Sequence, residues 1–321
     1  MVVNIFFLKN FFFLDTEISK VRIRKKPLFC KKTRLKMPEL PEVETLCRQL
    51  KKVILNKTIQ GIEIIDPKLT MIGEAIGRKI TAVTRRGKVM EIHLERKGIP
   101  DPPPGDNFLF GRSRLSAGEL HNEKVLALHL RMTGRLLWQN DRQDLPAHTR
   151  FTIAFAQGSL ICIDPRRFAT FVMRDHHPGG VVIGDPLHSC SADQLEELAR
   201  NRKLPVKSFL MDQRRIAGIG NIYACEMLYE ASVNPWRKTG SLSLREWEGI
   251  AAAAKRILKR AVACRGTSIS DWRDLFGQKG DYQHELNVYA RDRGLCRRCH
   301  GMILRERLSG RGTYFCPSCQ K

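Results

Sequence analysis

Four cysteines near the C-terminus are spaced for binding a metal ion. They form two C-x-x-C pairs, Cys296 with Cys299 and Cys316 with Cys319, and sixteen residues separate the pairs. Each pair can supply two thiolates to a tetrahedral ion, and the intervening segment is long enough for a β-hairpin. Two chance pairs or a redox dithiol explain this spacing less well. The pattern predicts one structural Zn²⁺ held by the four cysteines, and we do not expect His300 to be a ligand.

A second reactive group lies in the segment MPELPE, where Met37 is followed by Pro38 and Glu39. If translation starts at Met37, removal of this methionine leaves Pro38 with a free secondary amine. Such an amine can attack an aldehyde-like carbon to form an iminium, and Glu39 can act as general acid or base at the same carbon. If the chain starts at Met1, the nitrogen of Pro38 is a tertiary amide and this chemistry cannot occur. Taken alone, the segment is better explained as a polyproline-like lead-in to a helix.

The elements that must position these residues follow from hydrophobic periodicity. Helical spacing of Val43, Leu46, Leu50 and Val53 predicts a helix directly after Pro41. Short alternating or apolar runs then predict seven or eight strands, and hence an antiparallel β-sandwich with flanking helices. These runs are TIQGIEIID, KITAVTRR, KVMEIHLE, KVLALHLRM, RLLWQ, RFTIAFA, SLICID and FATFVM. The proline-rich stretch 98–122 is predicted to be a loop insertion.

Helical patterns dominate after residue 175. Ser191 with Gln194, and Ser243 with Glu246, have the spacing of capping boxes, and Asn221 is a candidate N-cap of a further helix. The predicted fold is therefore α+β and multidomain, with a helical domain after the sandwich and a zinc ribbon at the C-terminus. The predicted boundaries are a leader 1–36, a catalytic sandwich domain 37–174, a hinge 175–186, a DNA-binding helical domain 187–289 and a ribbon 290–321.

The charge balance favours a polyanionic partner. The chain has 56 Lys and Arg against 33 Asp and Glu, and residues 37–321 alone still have 46 against 31. At an isoelectric point of about 9.9 we favour nucleic acid over a merely solvated basic surface. The six remaining cysteines are scattered, which argues against a disulfide framework and for a reducing compartment.

The N-terminal run MVVNIFFLKNFFFL is too short and too interrupted for a membrane span, and no small-residue cleavage site follows it. Asp15 and Glu17, with bulky Phe clusters, make an organelle-targeting leader a weaker explanation than a misassigned start codon. We therefore expect a cytoplasmic, nucleoid-associated protein that does not bind membranes.

These motifs, in this order, resemble those of bacterial formamidopyrimidine-DNA glycosylases. The resemblance rests on PELPEVET, the β body, DQRRIAGIGNIY and the four-cysteine ribbon, and it covers essentially all of 37–321. It implies a helix–two-turn–helix domain and a bifunctional DNA glycosylase and AP lyase of base excision repair. It also implies excision of 8-oxoguanine and formamidopyrimidines from double-stranded DNA by a monomer, through a proline Schiff base and β,δ-elimination.

The resemblance also implies roles for particular residues. Pro38 would be the nucleophile, Glu39 would protonate the deoxyribose ring oxygen, and Glu42 would lie near the lesion pocket. The remaining catalytic positions, Lys88 and Arg311, would contact phosphates beside the lesion. The implied DNA-binding residues are His129, Met132, Arg166, Arg167, Phe168, Lys207, Asn221 and Tyr289.

Within this set Met132, Arg166 and Phe168 would fill the space left by an extruded base, since an enzyme that acts on a base in duplex DNA must unstack it. The N–H groups at the helix N-terminus beside Asn221 would favour a phosphate. The loop 266–282 would cover the extruded base, but its second half lacks the Gly-Lys-Pro-Gly-like turn of relatives, which leaves lesion preference open.

Two alternatives remain at this point. An endonuclease VIII-like glycosylase would prefer oxidised pyrimidines, although Leu40 and the ribbon arginine argue against it. A DNA-binding protein without catalysis would result if Pro38 is internal.

Overall fold

The computed structural model describes residues 37–69, 73–95, 124–140, 144–175 and 185–321. The predicted leader 1–36, the predicted insertion 98–122 and most of the predicted hinge 175–186 lie outside the described residues. The α-helices are α1 (Leu40–Ile54), α2 (Ala192–Ala199), α3 (Val206–Leu210), α4 (Asn221–Glu230) and α5 (Leu244–Ala263). The strands are β1 (Gly61–Ile64), β2 (Ile80–Arg86), β3 (Val89–Leu94), β4 (Lys124–His129), β5 (Arg135–Gln139), β6 (Thr149–Ala154), β7 (Ser159–Ile163), β8 (Thr170–Asp175), β9 (Leu304–Leu308) and β10 (Arg311–Phe315).

Strands β1 to β8 form an antiparallel sandwich, which confirms the predicted fold class. One sheet has the strand order β1-β6-β7-β5 and the other the order β2-β3-β4-β8. Side chains from both sheets meet in one buried core, where Phe151 of β6 stacks on Phe171 of β8 at a centroid distance of 4.1 Å. All eight predicted runs contain a strand. The alternating runs match strands such as β5 that bury one face, and the apolar runs match β4 and β7, which are buried along most of their length.

Helix α1 covers this sandwich with one apolar face. Val43, Leu46 and Leu50 are buried in the sandwich core as predicted, whereas Ile54 takes the last buried position and Val53 packs only partly. Leu40 at the start of α1 is also fully buried, but in the core of the helical domain. The first turn of α1 therefore lies between the two domains.

The helical domain is built around α4, in which eight of ten residues are buried. Both predicted capping boxes are present, at Ser191 for α2 and Ser243 for α5. The predicted N-cap at Asn221 is wrong, because Gly220 is the cap residue and Asn221 is already helical. The Asn221 amide instead contacts α3 and the C-terminal hairpin, where it finds stronger partners than its own helix offers.

Strands β9 and β10 form the predicted C-terminal hairpin. Ser309 and Gly310, the two residues between the strands, both have positive φ, 48° and 75°. This backbone matches the two-residue turns whose twist suits a β-hairpin. The ribbon is fastened to the helical domain by Glu226 of α4, whose buried carboxylate accepts the N–H groups of residues 287–289.

The predicted domain boundaries stay a prediction, but two observations bear on them. Strand β8 ends at Asp175, one residue beyond the predicted boundary. Trp272 and Leu275, which were assigned to the helical domain, pack into the core of the sandwich. Among the described residues, no helix has both the length and the apolar character needed to cross a membrane.

Alanine substitutions at Gly218 and Gly249 test how closely Leu40 of α1 approaches the helical domain. Gly218 has φ of +104°, and a Cβ there would lie 2.8 Å from the Cβ of Leu40, whereas a Cβ on Gly249 within α5 would make an ordinary 3.8 Å contact with Ala231. Gly218→Ala should lower the free energy of unfolding by about 1–3 kcal/mol through crowding and strain. Gly249→Ala should raise it by up to about 1 kcal/mol because alanine favours helix. Urea unfolding checks both, and equal effects of the two substitutions would contradict the close approach at Gly218.

Candidate active site

The segment Met37–Glu39 is held where the two domains meet. The Leu40 N–H donates to the Gly218 carbonyl at 3.0 Å. The Glu39 carboxylate accepts the N–H groups of Ile222 (3.0 Å) and Tyr223 (3.4 Å) in the first turn of α4. Because unpaired N–H groups and the helix dipole favour negative charge there, this buried carboxylate is well placed.

Gly220 makes the approach of Glu39 possible. A Cβ at Gly220 would overlap the Glu39 carboxylate. The N-terminus of α4 was expected to favour a DNA phosphate, but Ile222 and Tyr223 donate to Glu39 instead. These two N–H groups are therefore committed to a protein carboxylate, and the predicted phosphate contact beside Asn221 stays a prediction.

Glu42 lies in the first turn of α1 and is only 2 % exposed. Its carboxylate accepts the Glu39 N–H at 2.9 Å, the Tyr223 hydroxyl at 2.7 Å and the Thr267 N–H at 2.7 Å. Burial, and then the charge of Glu39, raise the pKa of Glu42 to about 7 against the opposing effect of these donors. Glu42 thus fastens the N-terminal segment to residue 267 and can hold a proton near neutral pH.

A pocket opens beside Pro38, and three parts of the chain line it. The N-terminal segment contributes Pro38 and Glu42, and the turn after β4 contributes residues 132–135. The third wall is the segment after α5, through Thr267 and residues 269–272. Met37 and Ile222 complete the lining. The predicted nucleophile and lesion-pocket residues therefore share one concave site with the predicted base-covering loop.

Lys88 lies in the turn between β2 and β3 and is 8 % exposed. Burial lowers its pKa, and the positive charge of Arg311 acts in the same direction, while Glu39 and Glu42 oppose it. Arg85 shapes this turn by donating to the Gly87 carbonyl at 3.1 Å and to Glu44 of α1 at 2.9 Å. Lys88 therefore lies close enough to Glu39 and Glu42 for their charges to act on its pKa.

His129, at the end of β4, is a neutral side chain at neutral pH. Burial, then the charges of Arg131 and Lys88, lower its pKa to about 4. Its Nδ1 accepts the N–H of Arg131 at 3.0 Å, so the proton of the neutral ring is on Nε2. Toward a phosphate it would act as a hydrogen-bond donor without a charge.

Met132, Arg166 and Phe168 form one exposed cluster, which we call the wedge cluster. Met132 and Phe168 are 37 % and 46 % exposed. The Arg166 guanidinium stacks on Phe168 at 4.6 Å and its Nη1 lies 3.6 Å from the Met132 sulfur. The structure thus brings together three residues from two loops that were predicted to act together.

Asp164, which is not among the predicted site residues, organises the wedge cluster. This carboxylate is fully buried and accepts the N–H groups of Arg166 (3.2 Å), Phe168 (2.7 Å) and Ala169 (2.7 Å). It also accepts the hydroxyl of Thr133 beside Met132. An Asp directly before Pro at a strand end was the available signal, because such an Asp often accepts N–H groups of the following turn.

Arg167 differs from its neighbours. Its guanidinium donates to Asp66, with Nε at 2.9 Å, and Arg150 donates to the same carboxylate. These bonds hold the pKa of Asp66 well below its usual range. The predicted phosphate contact of Arg167 stays a prediction, and the observed role of its guanidinium is in this ion pair.

Lys207, Asn221 and Tyr289 come together beneath the ribbon. The Lys207 ammonium is 1 % exposed and donates to Asn221 Oδ1 at 2.6 Å and to Thr313 Oγ1 at 2.8 Å. Asn221 Nδ2 donates to the Gly312 carbonyl at 2.9 Å and lies 3.5 Å from the Tyr289 hydroxyl. Buried Lys207 therefore positions Asn221 and the hairpin, and the DNA contact predicted for Lys207 stays a prediction.

Arg311 lies on the exposed turn side of the hairpin, at the first residue of β10. Within the described part of the chain its side chain has no hydrogen bond or ion pair, unlike Arg85 or Arg167. Its charge nevertheless acts on both Lys88 and Lys207. The ribbon therefore extends a cation toward the same region as the predicted catalytic residues.

The four ribbon cysteines fit one zinc ion. Their sulfur atoms all lie within 4.8 Å of one another, with Cys296 and Cys319 at 3.8 Å and Cys299 and Cys316 at 3.4 Å. A tetrahedral ion with Zn–S bonds of about 2.3 Å requires sulfurs about 3.8 Å apart. The predicted single structural Zn²⁺ is confirmed, and His300 is outside the cluster.

Comparison with known protein families gives matches along almost all of residues 37–321. Residues 37–171 match the formamidopyrimidine-DNA glycosylase N-terminal domain, and residues 184–272 match the formamidopyrimidine-DNA glycosylase H2TH domain. Residues 295–321 match the zinc finger found in FPG and IleRS. Fold and site thus define a DNA-repair glycosylase architecture.

Individual relatives agree with this class. The formamidopyrimidine-DNA glycosylase of Carboxydothermus hydrogenoformans is 35% identical over 292 residues, which cover 89% of this chain and 100% of the relative. A Lactococcus lactis FPG mutant in complex with DNA containing Fapy-dG superposes with a TM-score of 0.73 at 30% identity, covering 88% of this chain and 100% of that one. Lactococcus lactis Fpg in complex with DNA containing an abasic site is similar to the same degree. The chain belongs to the formamidopyrimidine-DNA glycosylase family.

Metal binding by the ribbon is tested by removing one ligand. Cys299→Ser should lose its zinc on dialysis against a chelator, because three thiolates hold the ion less tightly than four. Cys190→Ser is the matched control, since Cys190 is not part of the cluster and this variant should keep the metal. Atomic absorption of the dialysed proteins measures the outcome. Full zinc retention by Cys299→Ser would contradict the four-cysteine site.

Proposed function

We propose that this protein excises oxidised purines such as 8-oxoguanine and formamidopyrimidines from duplex DNA, with Pro38 as the nucleophile. Membership of the family makes it a DNA glycosylase of base excision repair with AP lyase activity. The endonuclease VIII-like alternative is not favoured, because the matching relatives are formamidopyrimidine-DNA glycosylases. The observation that carries the proposal is the pocket that Pro38 shares with Glu42 and the segment after α5.

The proposed reaction begins at C1′ of an extruded nucleotide. The lone pair of the Pro38 amine forms a bond to C1′, and the base leaves with the electron pair of the glycosidic bond. The Glu39 carboxylate takes the proton that the Pro38 nitrogen loses and passes it to the deoxyribose ring oxygen, so that the bond from C1′ to this oxygen breaks, the sugar opens and an iminium remains on Pro38. Loss of a C2′ proton then expels the 3′ phosphate by β-elimination, and loss of a C4′ proton expels the 5′ phosphate by δ-elimination. Hydrolysis of the iminium releases Pro38.

The different environments of Glu39 and Glu42 support different proton-transfer roles for the two carboxyl groups. Glu39 is held by two backbone N–H groups, and this fixes its orientation beside Pro38. Glu42, with its pKa raised to about 7, can carry a proton near neutral pH within the same pocket. Two adjacent carboxyl groups whose environments differ are typical of sites that need an acid and a base.

A free Pro38 nitrogen is a chemical requirement of this proposal. Met37 lies in the lining of the pocket beside Pro38. Removal of everything through Met37 would therefore both create the amine and enlarge the space for a nucleotide. We propose that the catalytic form begins at Pro38 and that residues 1–36 are not part of it.

DNA would lie across the wedge cluster and the ribbon. Met132 and Phe168 would occupy the gap in the base stack, and Arg166 would pair with the orphaned cytosine. Lys88, His129, Asn221 and Arg311 would contact backbone phosphates around the lesion. Since one chain supplies all of these groups, we propose that the protein acts as a monomer. We also propose that it acts in the nucleoid, where chromosomal DNA is found.

Covalent trapping tests the nucleophile. Protein expressed from Met37 should form a borohydride-stable adduct with a duplex containing 8-oxoguanine, because reduction converts the iminium to a stable amine. The full chain with its N-terminal residues verified intact is the matched control and should form none. Trapping by that control would exclude Pro38 as the nucleophile, and no adduct from the form beginning at Pro38 would contradict the enzyme proposal. A panel of lesions and opposite bases in the same assay then ranks the substrates.

Salt dependence tests the proposed phosphate contacts. Each charged contact adds about 0.9 to the slope of log K against log salt concentration. Arg311→Ala should therefore reduce this slope by about 0.9. His129→Gln should weaken binding but leave the slope unchanged, because the pKa of about 4 keeps the ring neutral at pH 7.5. Binding to a duplex with an uncleavable abasic analogue gives both slopes, and a smaller slope for His129→Gln would show that His129 binds as a cation.

A further inference from the structure

Residues 267–272 form one wall of the pocket, which we call the wall. The chain continues into residues 274–278, and we call their attachment to the sandwich domain the anchor. This segment leaves α5 in the helical domain and contributes Ser270, Asp271 and Trp272 to the pocket. Two of its residues, Trp272 and Leu275, are then buried in the core of the sandwich, with 7 % and 0 % exposure. The wall is thus attached to both domains.

Gln49 of α1 forms the centre of the anchor through both ends of its side-chain amide. Its Nε2 donates to Asp274 Oδ2 at 2.9 Å, and its Oε1 accepts the Leu275 N–H at 2.9 Å. The Leu275 carbonyl accepts the N–H of Trp138 at 2.9 Å. Because β5 is at the edge of its sheet, no neighbouring strand pairs with it on that side. The Leu275 carbonyl therefore accepts a backbone N–H of β5 that the sheet does not use.

Asp274 gives the anchor its shape. It is 2 % exposed, and its Oδ1 accepts the N–H groups of Phe276 at 3.0 Å and Gln278 at 2.9 Å. Its own N–H donates to the Gln278 carbonyl at 2.9 Å. A single carboxylate therefore closes the turn 274–278 and presents its second oxygen to Gln49.

The wall is held at its other end by the catalytic region itself. The Thr267 N–H donates to Glu42, and the Trp272 indole N–H donates to the Arg265 carbonyl at 2.9 Å. A segment held at both ends loses its conformational entropy when the protein folds and not when a nucleotide binds. A contact surface prepared in this way contributes more of its interaction energy to holding the base.

We propose that Gln49 and Asp274 are positioning residues that hold the base-covering wall in place before DNA binds. This inference rests on the proposed function and makes it more specific. The wall would hold the extruded base, so the anchor would act on base excision. An abasic site has no base, so cutting at an abasic site would not depend on the anchor.

Gln49→Glu breaks the anchor with minimal change in volume. The new carboxylate cannot donate to Asp274 and repels it, while the rest of α1 is unchanged. Gln157→Glu is the matched control, since it makes the same charge change at an exposed residue of the β6–β7 turn. Gln49→Ala is a milder second variant in case the like charges prevent folding.

Two measurements on the same proteins test the proposal. Hydrogen exchange of residues 271–280 is measured without DNA, both on the full chain and on the form beginning at Pro38. It should be at least about tenfold faster in both Gln49 variants than in Gln157→Glu. Single-turnover excision of 8-oxoguanine should fall about tenfold in the Gln49 variants, as loss of a buried hydrogen bond implies. Strand cleavage at a preformed abasic site should stay within about twofold of wild type.

The outcomes separate the inference from the proposed function. Unchanged exchange in the Gln49 variants would overturn the anchor, and an equal fall in excision and abasic-site cleavage would overturn its selective role. Either result leaves the glycosylase function intact. If wild-type protein beginning at Pro38 excises no base and cuts no abasic site, the proposed function is overturned, and the role in excision with it.

Discussion

The contact between the Glu39 carboxylate and the first turn of α4 is the interaction on which the site depends. It joins residues 183 positions apart in the chain and connects the N-terminal segment to the helical domain. The carboxylate satisfies N–H groups that the helix leaves unpaired, so the bond stabilises both partners. Without it, the segment that carries Pro38 would keep the bonds of the Glu39 N–H to Glu42 and of the Leu40 N–H to Gly218 but would lose both bonds to the first turn of α4.

Much of the surrounding structure serves to make that contact possible. Gly218 and Gly220 remove the side chains that would keep α1 and α4 apart. Glu42 ties the backbone of Glu39 to Thr267, so the residue after Pro38 and the pocket wall share one carboxyl group. The site is therefore formed by folding of both domains together, and each domain supplies groups that the other requires.

Several buried charged side chains hold neighbouring segments in place through hydrogen bonds. Glu226 holds the segment before the ribbon, Lys207 joins α3 to Asn221 and the hairpin, and Asp164 holds the wedge cluster. Each charge is surrounded by hydrogen-bond partners, as burial of an ionised group requires. Such fully bonded groups set backbone positions closely, which suits a protein that must present several loops to one DNA duplex.

The sequence by itself determined the eight sandwich strands, the capping boxes of α2 and α5, and the zinc ligands. These are local properties, because side-chain periodicity, cap spacing and ligand spacing are read within one stretch of chain. The tertiary structure alone decided that Glu39 accepts N–H groups in the first turn of α4, that Lys207 is buried, and that Asp164 organises the wedge cluster. It also decided the pairing of Gln49 with Asp274 across 225 positions. Contacts of this kind depend on how two domains pack, and no short-range pattern specifies which buried donor will meet which acceptor.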